Sequence, residues 1–355
     1  MRLELYPSMF GEKERLLCTS GETAVSTFRF DSGVAGLRVK TARGEFVMLP
    51  FQGQQIWRAS FDGRELTMRS MFDQPRMTQT YLETYGGFLI HCGLAGLGAP
   101  GPEDSHPLHG ELPNAPFQFA WLDVGSDHVT VSGSYQHIVA FSTNYRATIS
   151  TTLSARSSLL DVSVEVENLK RTQMELMYLA HANFRPVDQG TLHYTAEYAP
   201  NSVRVRRSIP SHVTPKPGYR EFLEVLADDP AAHHNLRSDL AFDPEVVFEI
   251  DMKSDADGFA HAVQIHPDGT ADYVRCRPDQ ARLCTRWICR TPDQDGLGIA
   301  FPATSGVEGY AAEKAKGRVE TVEGGDTWRI DMQFGLLAVQ ETADMIAKID
   351  RVRGE

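Results

Sequence analysis

The sequence predicts a mainly β protein built of stacked antiparallel sheets, on three observations. Apolar and polar residues alternate with period two in segment after segment, turn residues break those segments at short intervals, and stretches with helical period are few. In Asp161-Val162-Ser163-Val164-Glu165-Val166-Glu167 every valine points one way and every polar residue the other, because successive side chains in a strand face opposite sides. The pattern recurs in His128-Val129-Thr130-Val131-Ser132 and in Val203-Arg204-Val205-Arg206. It returns, less strictly, over Val246 to Met252, and again over Thr327 to Phe334. Strands of this kind bury one face, so they call for sheet packed on sheet.

Only two stretches read as helix. Gly218 to Asp229 gathers Phe222, Leu223, Val225 and Leu226 at helical spacing. Thr342 to Val352 sets Met345, Ile346, Ile349 and Val352 on one stripe. Strands do not alternate with helices, which argues against Rossmann and TIM-barrel architectures. Ile209 to Gly218, rich in proline, reads as a surface connector. No repeat or shift in composition divides the chain, so residues 1–355 are expected to form a single domain.

Composition narrows the function. The chain has 355 residues, 41% hydrophobic and 23% charged, as expected of an ordinary globular protein. A formal net charge of −12 disfavours nucleic acid as a partner, since phosphate binding needs clustered Lys and Arg. The local basic run Arg204, Arg206 and Arg207 reads as a solvated strand face. No segment approaches the ~20 apolar residues of a membrane span, and Met1 to Leu5 lacks a signal-peptide core, so no membrane partner and a cytoplasmic location are expected. Five cysteines at irregular spacing make a poor disulfide framework, and Cys276, Cys284 and Cys289 read as buried thiols.

The chemistry concentrates around two histidines. His109 lies in His106-Pro107-Leu108-His109-Gly110-Glu111, inside a glycine- and proline-rich segment from Gly93 to Pro116 that lets backbone and imidazole approach a ligand. His181 ends the strand-like run Met177-Tyr178-Leu179-Ala180-His181. Either is compatible with a structural role, as a turn or core histidine. His106 and His109, with Asp104 nearby, also have a metal-ligand spacing, but no third and fourth ligand is evident. Glu308 follows a late strand between small residues and is a candidate carboxylate base, with Glu313 as the alternative, although Lys314 and Lys316 make the latter look solvated. Trp57, Trp121, Trp287 and Phe184 offer faces on which a sugar ring can stack, or are core. Serine-hydrolase, P-loop and common zinc motifs are absent.

Several of these segments together resemble the aldose 1-epimerases of the galactose mutarotase-like superfamily, and more closely its DUF4432-type branch. They are Leu49-Pro50-Phe51-Gln52-Gly53-Gln54-Gln55-Ile56-Trp57, Tyr85 to Leu94, the Pro107-Leu108-His109-Gly110 loop, similar to the family's Leu-His-Gly loop, and Ala180-His181-Ala182-Asn183-Phe184, similar to its His-x-Tyr-Phe-Asn segment. The resemblance runs from about residue 15 to 340. It implies a β-supersandwich that binds a monosaccharide or sugar derivative and interconverts its anomers without metal or organic cofactor. By the same resemblance, Glu308 is the base, His181 the acid, and His109 holds the ring oxygen or shares the acid role. An arginine, Arg76 with Arg58 and Arg69 competing, orients hydroxyls, while Trp57 and Phe184 stack on the sugar. The family's glutamate stands on a Glu-Pro-Gln-like motif, and here Phe301-Pro302-Ala303 occupies that region. A non-catalytic sugar binder or sensor on the same fold is the competing expectation, and a metal-dependent sugar isomerase a distant third. Neither the particular sugar nor the oligomeric state follows from these residues.

Overall fold

The computed structural model describes residues 1–210, 213–237, 239–240 and 242–354. Strands hold 44% of the chain, about twice the usual share, against three α-helices of 10, 6 and 15 residues among the described residues. Two large antiparallel sheets result. The nine-stranded sheet runs in the order Arg2–Leu5, Phe119–Val124, His128–Val139, Thr143–Ser154, Leu159–Asn168, Thr327–Leu337, Ala271–Cys276, Ala260–Ile265 and Thr191–Tyr194. The thirteen-stranded sheet has as its central run Val246–Ile250, Leu283–Arg290, Asp295–Ala303, Met174–Ala182 and Leu89–Leu94.

Each alternating segment forms a strand over most of its length, with Arg206, Asp251 and Met252 falling beyond the strand ends. Val162, Val164 and Val166 are buried, whereas Asp161 is exposed and Ser163 and Glu165 are half-buried. One hydrophobic core joins residues of both sheets, with Val164 and Ile149 from one and Leu37 and Phe46 from the other. Strands Met174–Ala182, Leu283–Arg290 and Asp295–Ala303 are buried along almost their whole length. Strands covered on both faces lose the alternation and read as continuous apolar runs.

The predicted helices are α1, Tyr219–Asp228, and α3, Val339–Arg353. Helix α3 begins at Val339, three residues before the expected start at Thr342, because Glu341 Oε2 accepts the Ala338 N–H at 2.7 Å and caps the first turn. Between them lies α2, Tyr310–Ala315, a helix too short to show a period. The Ile209–Gly218 connector includes Ser211 and His212, which lie outside the described residues. All five cysteines are free, and Cys276, Cys284 and Cys289 are buried. Among the described residues, no helix is long and apolar enough to cross a membrane.

Candidate functional site

A cavity of about 290 Å³ opens on the central strands of the thirteen-stranded sheet. Leu179 and His181 reach it from Met174–Ala182, Thr285 and Trp287 from Leu283–Arg290, and Phe301 from Asp295–Ala303. These pairs are two residues apart because a strand presents every second side chain to one face. Val247 joins them, preceded by Glu245, and Arg206 completes this side. The covering side comes from two long connections. Residues 66–88 contribute Phe72, Tyr81 and Tyr85, and residues 95–118 contribute Leu108 and His109.

His109 and His181 thus come from distant parts of the chain to one cavity, with ring centroids 5.8 Å apart. His109 has φ 59° and Gly110 φ 79°, a left-handed pair that turns the loop back on itself. A Cβ on Gly110 would stand 2.3 Å from the Gly93 carbonyl oxygen, so only glycine permits this approach. The loop is pinned further by Gly93 N–H donating to the His109 carbonyl at 2.9 Å and His109 N–H donating to the Gly98 carbonyl at 3.0 Å. His106, by contrast, accepts the Tyr310 N–H at 3.3 Å and sits 3.6 Å from Asp104, so it ties the loop to α2.

The His181 ring is surrounded by Phe301 at 4.1 Å, Trp287 at 5.5 Å and Tyr85 at 5.9 Å between centroids. Burial pushes its pKa down to about 4, partly opposed by the hydrogen bond to Asn183. That bond also sets the tautomer. Asn183 Nδ2 donates to the Gly87 carbonyl at 2.9 Å, so its Oδ1 faces His181 Nδ1 at 2.7 Å. An amide oxygen only accepts, so Nδ1 carries the proton and Nε2 keeps its lone pair. The neutral ring therefore offers the cavity a proton acceptor, in contrast to the acid role that the family resemblance implies. Burial holds the Tyr81 and Tyr85 phenols well above their usual range, and both stay neutral.

Three of the other expected residues are placed elsewhere by packing. Glu308 is half-buried beside the cavity-lining Val307, and both its oxygens accept the Ser208 hydroxyl at 2.9 Å. Trp57 packs in a separate small cluster with Val34 and Leu49. Phe184 is core, edge-on to Phe88 at 5.0 Å. None of the three arginines lines the cavity. Arg76 is exposed, with its guanidinium 5.5 Å from the Phe72 ring, Arg58 donates to the Gly86 and Phe72 carbonyls, and Arg69 donates to the Pro292 and Thr291 carbonyls. Glu313, which looks solvated in the sequence, is fully buried. It accepts the Gly306 N–H at 3.0 Å and pairs with Lys316 at 2.7 Å.

The carboxylate that does line the cavity is Glu245. It accepts from Arg206 Nη2 at 2.6 Å and from the Trp287 indole N–H at 2.8 Å. Arg206 is thus a wall residue, whereas Arg204 in the same basic run pairs with Asp251 at 2.6 Å. The one hint in the sequence is the period-two row Glu245, Val247, Glu249, which puts a carboxylate on a face shared with an apolar residue. Its partner Arg206 lies 39 positions away, a separation that sequence pattern cannot bridge.

The two large antiparallel sheets have a galactose mutarotase-like fold. The chain belongs to the DUF4432 family, a domain of unknown function, whose pattern matches residues 31–336. Its fold is that of a "putative aldose 1-epimerase" of Klebsiella pneumoniae, with TM-score 0.84 and 14% identity over 100% of this chain and 96% of that one. It is also similar to a galactose mutarotase-like protein of Clostridium acetobutylicum, with TM-score 0.60 and 13% identity over 89% and 98% of the two chains. Among curated proteins none matches by sequence.

Proposed function

We propose that this cavity binds a monosaccharide or sugar derivative and that the protein interconverts its anomers by acid–base ring opening. The observation that carries this reading is the convergence of His109, His181 and the Glu245–Arg206 pair on one small cavity. In the proposed reaction His181 Nε2 accepts the proton of the anomeric hydroxyl. The C1–O1 bond becomes a carbonyl, the C1–O5 bond breaks with its electron pair on O5, and His109 donates a ring N–H proton to O5. Rotation of the aldehyde and the reverse proton transfers close the ring on the other face. Each proton-transfer partner typically contributes ~10²–10⁴-fold. Glu245 and Arg206 would orient hydroxyls through fixed donors and acceptors, and Trp287 and Phe301 would hold the apolar ring face.

One observation favours a second reading, sugar binding without catalysis. Phe301 stands in the region of the family's Glu-Pro-Gln-like motif and packs on His181, while Glu245 is already engaged by two donors. Exchange NMR across a panel of hexoses, pentoses and acidic sugars separates the two. The catalytic reading expects accelerated exchange that falls ~10²-fold or more in His181→Ala, the usual cost of losing a general acid or base. Sugar binding with no acceleration in the wild type would leave only the binder.

A further inference from the structure

The loop that carries His109 faces two hollows. Leu108 and His109 line the functional cavity, whereas His106, Pro107 and Glu111 line a separate polar cleft of about 910 Å³. The left-handed turn at His109 and Gly110 sends the side chains of His109 and Glu111, two positions apart, to different hollows. Glu111 therefore does not touch a ligand in the functional cavity and can act there only through the loop.

Its carboxylate is where the loop meets both sheets. Oε1 accepts the Leu94 N–H at 3.2 Å, the Ala95 N–H at 3.0 Å and the Tyr145 hydroxyl at 2.6 Å, and Oε2 lies 3.3 Å from the same Ala95 nitrogen. Leu94 ends strand Leu89–Leu94 of the thirteen-stranded sheet, and Tyr145 belongs to Thr143–Ser154 of the nine-stranded sheet. Tyr145 is fully buried, 5.3 Å from the His137 ring and 6.4 Å from the Tyr135 ring between centroids, so its hydroxyl is a fixed donor. Hydrogen bonds to an ionised acceptor are about twice as strong as neutral ones. On either side of Glu111, the His109 carbonyl accepts the Gly93 N–H at 2.9 Å and the Leu112 N–H donates to the Gly93 carbonyl at 2.8 Å. The carboxylate extends that clamp to residues 94 and 95 and across to Tyr145. Resting on the acid role of His109 in anomer exchange, we propose that Glu111 is a positioning residue, which holds the His109 ring N–H where the ring oxygen of the sugar takes its proton.

The test measures two quantities in Glu111→Ala, Glu111→Gln and Tyr145→Phe. One is anomer exchange by NMR across the sugar panel, resolved into kcat and KM. The other is the nitrogen-15 signals of the histidine rings in labelled protein. Glu111→Ala is expected to lower kcat by about 10–100-fold, the scale of a displaced reacting group, while KM shifts by less than about threefold because the cavity walls are untouched. The His109 ring signals should shift and broaden, and those of His181, held by Asn183, should stay. Glu111→Gln keeps an oxygen for the Leu94 and Ala95 N–H groups and offers an N–H to the Tyr145 oxygen, so kcat should recover to within about threefold of wild type. Tyr145→Phe removes only the tie to the nine-stranded sheet and should move the His109 signals and lower kcat by about 3–10-fold. Wild-type kcat and His109 signals in Glu111→Ala, or in Tyr145→Phe should Glu111→Ala not fold, overturn the proposal. A fall in kcat with unmoved His109 signals also overturns it, because the effect then does not pass through His109. Both outcomes leave the catalytic reading standing, whereas a wild type that exchanges no sugar overturns that reading and the proposal with it.

Discussion

At the scale of single residues the site turns on which nitrogen of His181 holds the proton. Asn183 decides this by spending its amide N–H on Gly87 and turning its oxygen to the ring. Nitrogen-15 NMR should therefore show the Nδ1–H tautomer through the neutral range, and Asn183→Leu should give a tautomer mixture. An Nε2–H tautomer in the wild type would remove His181 as proton acceptor. Burial lowers the His181 pKa from 6.5 to about 4, so the unfolded chain binds the proton that the folded chain refuses. Its contribution to stability is whole above pH 6.5 and declines as pH falls towards 4, at about 1.4 kcal/mol per pH unit. Denaturation midpoints measured across that interval should fall on acidification, and less steeply in His181→Asn. The carboxylates give a second contrast. Glu245→Gln weakens the contacts with Arg206 and with a bound hydroxyl and is expected to reduce sugar affinity ~10-fold, whereas Glu308→Gln, whose side chain is bonded among the described residues to Ser208, should change it by less than about twofold. Equal effects in calorimetry would put Glu308 back among the candidates.

At the scale of elements, the loop from Gly93 to Pro116 works as a preformed arm that delivers His109. Its geometry depends on consecutive left-handed residues and on close backbone contact at Gly110 and Gly98. Gly110→Ala is expected to cost about 1–3 kcal/mol in urea denaturation, from its positive φ and the contact with the Gly93 carbonyl, and to abolish the proposed anomer exchange by displacing the arm. His109→Asn should separate the two roles. Asparagine tolerates the left-handed region, so the thermal midpoint should hold while anomer exchange declines. A large loss of stability in His109→Asn would show that the ring, packed 4.8 Å from Tyr81, is chiefly structural.

At the scale of the whole molecule, stability depends on how the two sheets are joined. Asn168 ends a strand of the nine-stranded sheet. Its Nδ2 donates to the carbonyls of Thr172, Val322 and Glu323, and Val322 belongs to a strand paired with Met174–Ala182 of the other sheet. Asn168→Ala leaves those carbonyls short of a donor in a fully buried site and is expected to cost about 2–4 kcal/mol. Urea denaturation measures this, and a cost under about 1 kcal/mol would mean that the sheets are held by apolar packing alone. Far-UV circular dichroism should be dominated by strand, in keeping with 44% strand content and three α-helices among the described residues.

Much of the fold could be read from the residues because strand alternation is a local property. The valines at 162, 164 and 166 face the core on their own evidence, as do the apolar positions of Thr327–Leu337. His109 and His181 stood out for a related reason, each being a polar group where local pattern has no use for one. Their meeting, the turn of Asn183 towards His181 and the pairing of Glu245 with Arg206 were decided by tertiary structure. So were the burial of Glu313 and the withdrawal of Trp57, Phe184 and Arg76 from the site. The physical reason is range. Alternation and turn chemistry act over a few neighbouring residues, whereas a cavity wall is set by strand order and loop closure, which bring positions 109, 181, 206 and 245 together only after the sheets have formed.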